Sequence, residues 1–153
     1  MSKAKLKKLA PRVLIIFFVI YLLCLIYCGV SVFKMQTLTY NSTGWGIVLT
    51  EYKLDFVGDL TVLNYYDFDG TLSTHTQNTF SPAQQTKVRL VCAISLMPLW
   101  RGEYDNPYVM DGDQWHTIIT YGNREKTTYG SNSYPLTYCF VHNTIISIFD
   151  TIK

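Results

Sequence analysis

An uninterrupted apolar segment constrains the fold of this 153-residue chain more than any other feature: residues 13–32, VLIIFFVIYLLCLIYCGVSV. The segment holds no charged residue. As an α-helix it would be about 30 Å long, which is the thickness of the hydrocarbon core of a bilayer. A core helix of a soluble domain is rarely apolar on every face. The segment therefore predicts a single transmembrane helix in contact with membrane lipids.

The charges that flank this segment predict its orientation. Five basic residues precede it, one basic residue follows it closely, and the first acidic residue of the chain is Glu51. The basic residues are Lys3, Lys5, Lys7, Lys8, Arg12 and, after the segment, Lys34. Because an excess of positive charge marks the cytoplasmic side, residues 1–12 are expected to form a basic cytoplasmic N-terminus. The chain that follows would then lie outside the cytoplasm, at the cell membrane.

Two alternatives to a permanent anchor stay open at this point. A cleaved signal peptide would use Gly29-Val30-Ser31, the only small-x-small candidate, although a signal's apolar region is usually shorter than this one. Lipidation at Cys24 or Cys28 is a weaker alternative, because Leu23 and Tyr27 stand where a small residue should precede the modified cysteine.

The remainder of the chain carries the signals of a small α+β domain, residues 46–153, joined to the helix by a juxtamembrane linker, residues 33–45. Alternating or β-branched stretches predict about five strands in a mostly antiparallel sheet: residues 50–56, 60–66, 71–80, 115–121 and 125–129. Ser81-Pro82-Ala83-Gln84 predicts the start of one helix by a capping box. Residues 136–150 carry an apolar stripe that suits a second helix, with a strand as the alternative.

The overall charge excludes one class of partner. From Met35 onward the chain has 7 basic and 11 acidic residues, so the formal net charge of +2 arises from the basic N-terminus. A mildly acidic outer domain does not predict binding to nucleic acid. The three histidines lack metal-ligand spacing, so we expect neither a metal site nor a cofactor.

One short motif raises the question of catalysis. The sequence DFDGTL, residues 67–72, resembles the nucleophile loop of haloacid-dehalogenase-type phosphatases. That resemblance would make Asp67 the nucleophile and Asp69 the acid and base, with magnesium as cofactor. It covers six residues, and the helix that the family needs after the loop is replaced here by a threonine-rich stretch. Asp69-Gly70 between two strands also predicts a hairpin turn, and we favour the hairpin and a non-enzymatic protein.

The aromatic loop LWRGEYDNPY, residues 99–108, is the candidate partner-binding site. Trp100, Arg101, Tyr104 and Tyr108 are of the types that anchor protein interfaces or stack on sugars. The alternative is that these rings cover the edge of the sheet, since long loops need packing of their own.

Cys92 and Cys139 are the only cysteines of the outer domain, and a disulfide between them is a possibility that their spacing leaves open.

The sequence thus predicts a single-pass membrane protein that presents a small extracytoplasmic domain to a protein or an envelope component. An extracytoplasmic enzyme is the alternative. A third hypothesis is a small membrane subunit whose helix itself binds the partner, although no polar residue within the helix marks such a role.

Overall fold

The computed structural model describes residues 3–44, 47–106, 108 and 113–150, with side chains from Val13 onward except those of residues 44 and 47. The side chains of the basic segment 1–12 lie outside the described residues. The elements follow in the order α1 (Lys3–Phe33), β1 (Thr37–Gly44), β2 (Ile47–Asp55), β3 (Leu60–Tyr66), β4 (Leu72–Thr79), α2 (Pro82–Ile94), a 3₁₀ helix (Met97–Leu99), β5 (Glu103–Asp105), β6 (Gln114–Tyr121), β7 (Arg124–Ser131) and α3 (Tyr138–Asp150).

The strands form one mixed sheet of seven strands in the order β4-β3-β2-β1-β6-β7-β5. Every neighbouring pair is antiparallel except β5 with β7, which is parallel. The α+β class and the mostly antiparallel sheet are therefore confirmed. The expected number of five strands is wrong, because β1 and β5 were not predicted.

Strand β1 corrects the expectation of a linker at residues 33–45. It lies at the centre of the sheet, hydrogen-bonded to β2 on one side and β6 on the other. Its Leu38 and Tyr40 are buried under the helices, while the alternate positions are threonine and asparagine. A strand with only two apolar residues resembles a polar linker in sequence. Its hydrogen-bond partners include β6, far along the chain, so no local pattern predicts it.

The helices lie on one face of this sheet. Leu38 of β1, Leu54 of β2 and Ile119 of β6 belong to the same buried cluster as residues of α2 and α3. The helical contribution to the cluster is Val88, Cys92, Val141, Ile145, Ile148 and Phe149. On the strand registers, Leu38 stands opposite both Leu54 and Ile119, so the apolar positions form one band across the centre of the sheet.

The start of α2 and the nature of α3 follow local sequence signals. Ser81 Oγ accepts a hydrogen bond from the Gln84 amide at 3.3 Å, and the Ser81 amide donates to Gln84 Oε1 at 2.9 Å. This is the predicted capping box, with Pro82 at the first helical position. The apolar stripe of residues 136–150 is a helix rather than a strand, since Val141, Ile145 and Ile148 all point into the core.

Trp115 of β6 and Gly130 of β7 form the tightest contact in this part of the fold. They are direct cross-strand partners, and the indole of Trp115 lies flat where the side chain of residue 130 would be. Trp115 is 1% exposed, and its Nε1 donates to the Ser133 carbonyl at 3.1 Å. A Cβ atom at position 130 would overlap the indole ring, so only glycine fits without displacement of the tryptophan.

We therefore expect Gly130→Ala to lower the free energy of unfolding by about 1–3 kcal/mol, the usual cost of overpacking a core. Thermal unfolding of the detergent-solubilised full chain measures the effect. Gly102→Ala is the matched control, because a Cβ atom there meets nothing within 4 Å, and a surface change of this kind stays within about 0.5 kcal/mol. Equal stability of the two variants would contradict the proposed packing.

Candidate functional site at the junction of helix and domain

The middle of helix α1 is apolar and exposed. Val13 to Leu23 are all exposed, and residues Val13–Phe33 form the one helix among the described residues that is long and apolar enough to cross a membrane. Such a helix near the N-terminus is consistent with a membrane anchor or a signal sequence.

The end of α1 is different, because one of its sides belongs to the core of the domain. Cys28 and Val32 are 0% and 3% exposed, and Met35, just after the helix, is 1% exposed. On the opposite side Val30 and Phe33 remain exposed at 55% and 82%. The apolar helix is therefore both an exposed rod and, over its last turns, a structural part of the domain.

Arg89 of α2 holds this end of α1 in place. Its guanidinium donates to the carbonyl of Val32, to the carbonyl of Phe33 at 2.8 Å and to the carbonyl of Met35 at 3.1 Å. The last carbonyls of a helix have no partner within the helix and carry its negative dipole end, so a cation satisfies both needs. Arg89 also lies over the ring of Phe56, 4.4 Å from its centroid, and partial burial lowers the pKa of its guanidinium.

Replacement of Arg89 by methionine should keep the packing on Phe56 but leave the carbonyls without their charged donor. We expect a loss of about 2 kcal/mol in the free energy of unfolding, the scale of hydrogen bonds to a charged group. Amide hydrogen exchange in residues 28–38 should accelerate. Lys87→Ala on the exposed side of α2 is the control, since the side chain of Lys87 donates one hydrogen bond, to Ser147 Oγ at 3.1 Å, and is remote from the carbonyls that Arg89 binds. An unchanged exchange rate in Arg89→Met would refute the clamp.

The predicted binding loop is largely a packed lid. Trp100 is 7% exposed, and its Nε1 donates to the Ser95 carbonyl at 3.1 Å and to Thr137 Oγ1 at 3.2 Å. Tyr104 is half-buried against Trp115, with ring centroids 6.1 Å apart. Of the four residues singled out in the sequence, Trp100 is therefore a core residue and Tyr104 a partly buried one.

The other two residues of that loop are exposed. The guanidinium of Arg101 lies over the ring of Tyr104, 4.9 Å from its centroid, and the backbone amide of Arg101 donates to the Tyr104 hydroxyl at 3.0 Å. Tyr108 is 93% exposed, and the residues on either side of it lie outside the described part of the chain.

A groove runs beside this lid, between the 3₁₀ helix and the segment that leads into α3. Its volume is about 490 Å³. Its rim carries Arg101, Tyr134 and Leu136, the last of which is 97% exposed. Leu99 is 45% exposed and closes the groove on the side of α1. Leu136 could not be recognised as a surface residue from the sequence, because the residues across the groove from it lie some 35 positions earlier.

Beneath the groove, aromatic rings and a histidine form a stacked cluster. The hydroxyls of Tyr40 and Tyr138 are 2.7 Å apart, and His142 stacks on Tyr138 with ring centroids 5.4 Å apart. Burial raises the pKa of both tyrosines and lowers the pKa of His142. The Nδ1 atom of His142 is buried and has no hydrogen-bond partner among the described residues. A neutral imidazole suits this site better than a charged one.

This cluster predicts sensitivity to acid. Because the folded-state pKa of His142 lies below its ordinary value of 6.5, the stability it contributes is complete above that value and is lost as the pH falls through the folded-state pKa. The unfolding temperature should therefore fall between pH 7 and pH 5. His142→Phe should reduce that fall, leaving the part due to His116, whose pKa burial also lowers. His75→Gln on the edge strand β4 serves as the control, and an equal pH response in all three proteins would contradict the assignment.

The motif DFDGTL lies in a hairpin between β3 and β4. The Gly70 amide donates to the Asp67 carbonyl at 2.8 Å, and Gly70 has a φ of 81°, which glycine accepts most readily. The carboxylate of Asp69 accepts from the amide and hydroxyl of Thr71 at 2.9 and 2.6 Å, and these hydrogen bonds lower its pKa. The favoured hairpin is therefore observed, and the loop leads into a strand instead of the helix that the phosphatase resemblance requires.

The two lysines of α2 and β7 both make hydrogen bonds away from this hairpin. Lys87 contacts Ser147 on α3, and Lys126 donates to the carbonyls of Pro98 and Trp100. Among the described residues, no group of three or more His, Cys, Asp or Glu side chains could hold a metal ion.

The possible disulfide between Cys92 and Cys139 is not formed. Both are free thiols. Cys92 is 1% exposed on the inner side of α2, where burial raises the pKa of its thiol to about 12, whereas Cys139 is exposed on α3. The two side chains face opposite environments, so spacing in the sequence was a poor guide to their meeting.

The chain matches no family model, and neither a curated protein nor a solved structure matches it. The function proposed below therefore rests on the geometry of the chain itself.

Proposed function

We propose that this protein is a single-pass membrane protein whose α1 is a permanent anchor, with a cytoplasmic N-terminus and an α+β domain that binds a protein or an envelope component outside the cytoplasm. The observation that carries the proposal is the double role of α1. Its stretch from Val13 to Leu23 is exposed and apolar, while Cys28 and Val32 in its last turns are core residues of the domain. A helix that is part of the folded domain suits an anchor better than a leader that is removed.

The candidate cleavage site illustrates the point. Gly29-Val30-Ser31 lies within α1, one turn before its end, and Ser31 Oγ donates to the Tyr27 carbonyl at 2.9 Å. Cleavage after Ser31 would remove Cys28 from the core and separate Val32 from the helix whose end Arg89 caps. Retention of α1 keeps this contact, which favours the anchor over the signal peptide.

The exposed thiol of Cys139 provides a direct test of orientation. In a Cys24→Ala background, a membrane-impermeant maleimide should label Cys139 on intact cells without prior reduction, since that thiol is free and exposed whereas Cys28 and Cys92 are buried. Cys139→Ser should abolish the labelling. Labelling that requires opened cells would place the domain in the cytoplasm and overturn the proposed orientation. A product shortened by the mass of residues 1–31 would overturn the permanent anchor.

For the binding role, the groove beside the 3₁₀ helix is the favoured surface. It joins a cation, Arg101, with an exposed aromatic ring, Tyr134, and an almost fully exposed Leu136. Large side chains of these types are common at the energetic centres of protein interfaces. Trp100 lies below them and supports the shape of the groove; it is too deeply buried to be a contact residue.

We expect a photo-crosslinking residue at position 136 to capture a discrete partner in intact cells. The same residue at position 68 is the control, since Phe68 is 71% exposed at the tip of the β3–β4 hairpin. Arg101→Ala should reduce the yield from position 136 several-fold without a change in the unfolding temperature. Equal yields from positions 136 and 68, or an Arg101→Ala protein that crosslinks normally, would refute the groove as the binding surface.

A further inference from the structure

The domain overlaps the apolar helix more deeply than a simple anchor would require. Leu99 in the 3₁₀ helix lines a cleft of about 300 Å³ together with Ile20, Leu23, Cys24 and Tyr27 of α1. These positions surround the midpoint of the potential span, Val13–Phe33. The part of the domain that carries Leu99 therefore reaches the level of the middle of the apolar segment.

This overlap limits the length of helix that is free to cross a bilayer. The unbroken run of exposed apolar residues, Val13 to Leu23, is about 17 Å long at 1.5 Å per residue. The hydrocarbon core of a bilayer is about 30 Å thick. Snorkelling of the basic residues before Val13 and local thinning of the bilayer can reduce this mismatch. The remaining difference in length is made up if the surface of the domain next to α1 enters the lipid interface.

The side chains of the domain beside α1 change from apolar to charged toward the outer end of the helix. This is the order that immersion of the domain surface in the lipid interface requires. Leu99 lies beside residues 20–27 of the helix. Four charged residues lie farther along, in a second cleft of about 340 Å³ that Tyr27 and Ser31 of α1 also line: Lys34, Arg124, Glu125 and Lys126. This second cleft is roughly 10 Å closer to the outer end of α1, at the rise of an α-helix. An apolar residue thus lies at the deeper level, and three cations with one carboxylate lie at the shallower one, a net positive charge where anionic headgroups would be.

The backbone of the 3₁₀ helix is also suited to an environment with little water. The Leu99 amide donates to the Leu96 carbonyl at 2.8 Å and the Trp100 amide donates to the Met97 carbonyl at 3.1 Å. Lys126 supplies donors to the Pro98 and Trp100 carbonyls, the latter at 2.7 Å. Backbone groups that enter a bilayer must have partners within the protein, and these groups have them.

From this gradation we infer that the 3₁₀ helix is a membrane-docking element. Leu99 is immersed in the lipid interface beside α1, while Arg124 and Lys34 contact anionic headgroups. The inference rests on the proposed anchor role of α1 and goes beyond it, because it fixes which surface of the domain faces the bilayer.

The test uses the full chain in vesicles of phosphatidylcholine and phosphatidylglycerol. In a Cys24→Ala, Cys139→Ser background, a nitroxide label is attached through Leu99→Cys, Phe17→Cys or Leu72→Cys in separate proteins. Cys28 and Cys92 are buried at 0% and 1% exposure and stay unlabelled in the parent background, which is checked directly. Leu72 is the matched control, 54% exposed against 45% for Leu99, and it lies at the hairpin end of β4.

Electron paramagnetic resonance then compares collisions of each label with oxygen, which concentrates in lipid, and with a water-soluble nickel chelate. Burial in protein lowers both collision rates, whereas lipid raises the ratio of oxygen to nickel. We expect this ratio to be highest at position 17 and several-fold higher at position 99 than at position 72. A lipid signature at position 17 with equal ratios at positions 99 and 72 would overturn the docking and leave the anchor. A water signature at position 17 would overturn the anchor itself.

Discussion

The contact between Arg89 and the last carbonyls of α1 is the interaction on which the rest of this fold depends. The end of an apolar helix presents carbonyl groups without helical partners, and here the carbonyls of Val32 and Met35 are partly buried against the domain. The guanidinium of Arg89 satisfies the carbonyls of Val32, Phe33 and Met35 together. Without it, the burial of Val32 and Met35 would leave polar groups unpaired beside them.

The position of β1 follows from that contact. The chain turns out of α1 through Lys34, Met35 and Gln36, and both backbone groups of Gln36 are paired with the sheet. Its amide donates to the Thr120 carbonyl at 2.9 Å, and its carbonyl accepts from the Phe56 amide at 2.8 Å. No flexible tether therefore separates the helix from the sheet. A tilt of α1 would therefore pass directly into the central strand, so the orientation of this helix and that of the sheet are coupled.

Local signals in the sequence were sufficient for the elements that depend on local chemistry. The capping box at Ser81, the Asp69-Gly70 turn and the stripe of α3 are written within a few residues each, and all three are observed. The apolar segment likewise indicated a helix capable of crossing a membrane. Strand β1 was missed because its partners, β2 and β6, define it, and its own residues are mostly polar.

At the candidate site, too, the residue types were visible in the sequence but their roles were not. The residue types around Trp100 were a reasonable sign of an interface, but their roles depend on segments far away in the sequence. Trp100 is buried by Trp115 and by hydrogen bonds to Ser95 and Thr137. Arg89 could not be recognised as a helix cap, since the helix that it caps ends 56 residues earlier. Pairing at such distances is a property of the assembled fold and has no local sequence pattern.

Leu99 connects the two surfaces to which we assign a role. It lines the cleft against α1 and also the groove that carries Arg101 and Leu136. If the 3₁₀ helix docks on the bilayer, the groove opens directly above the lipid headgroups, and Leu99 on its α1 side is continuous with the interface. A ligand in the groove would then contact the membrane as well as the protein. Such a geometry favours partners that are themselves attached to the membrane, because a freely soluble partner would have to give up hydration on both surfaces to bind.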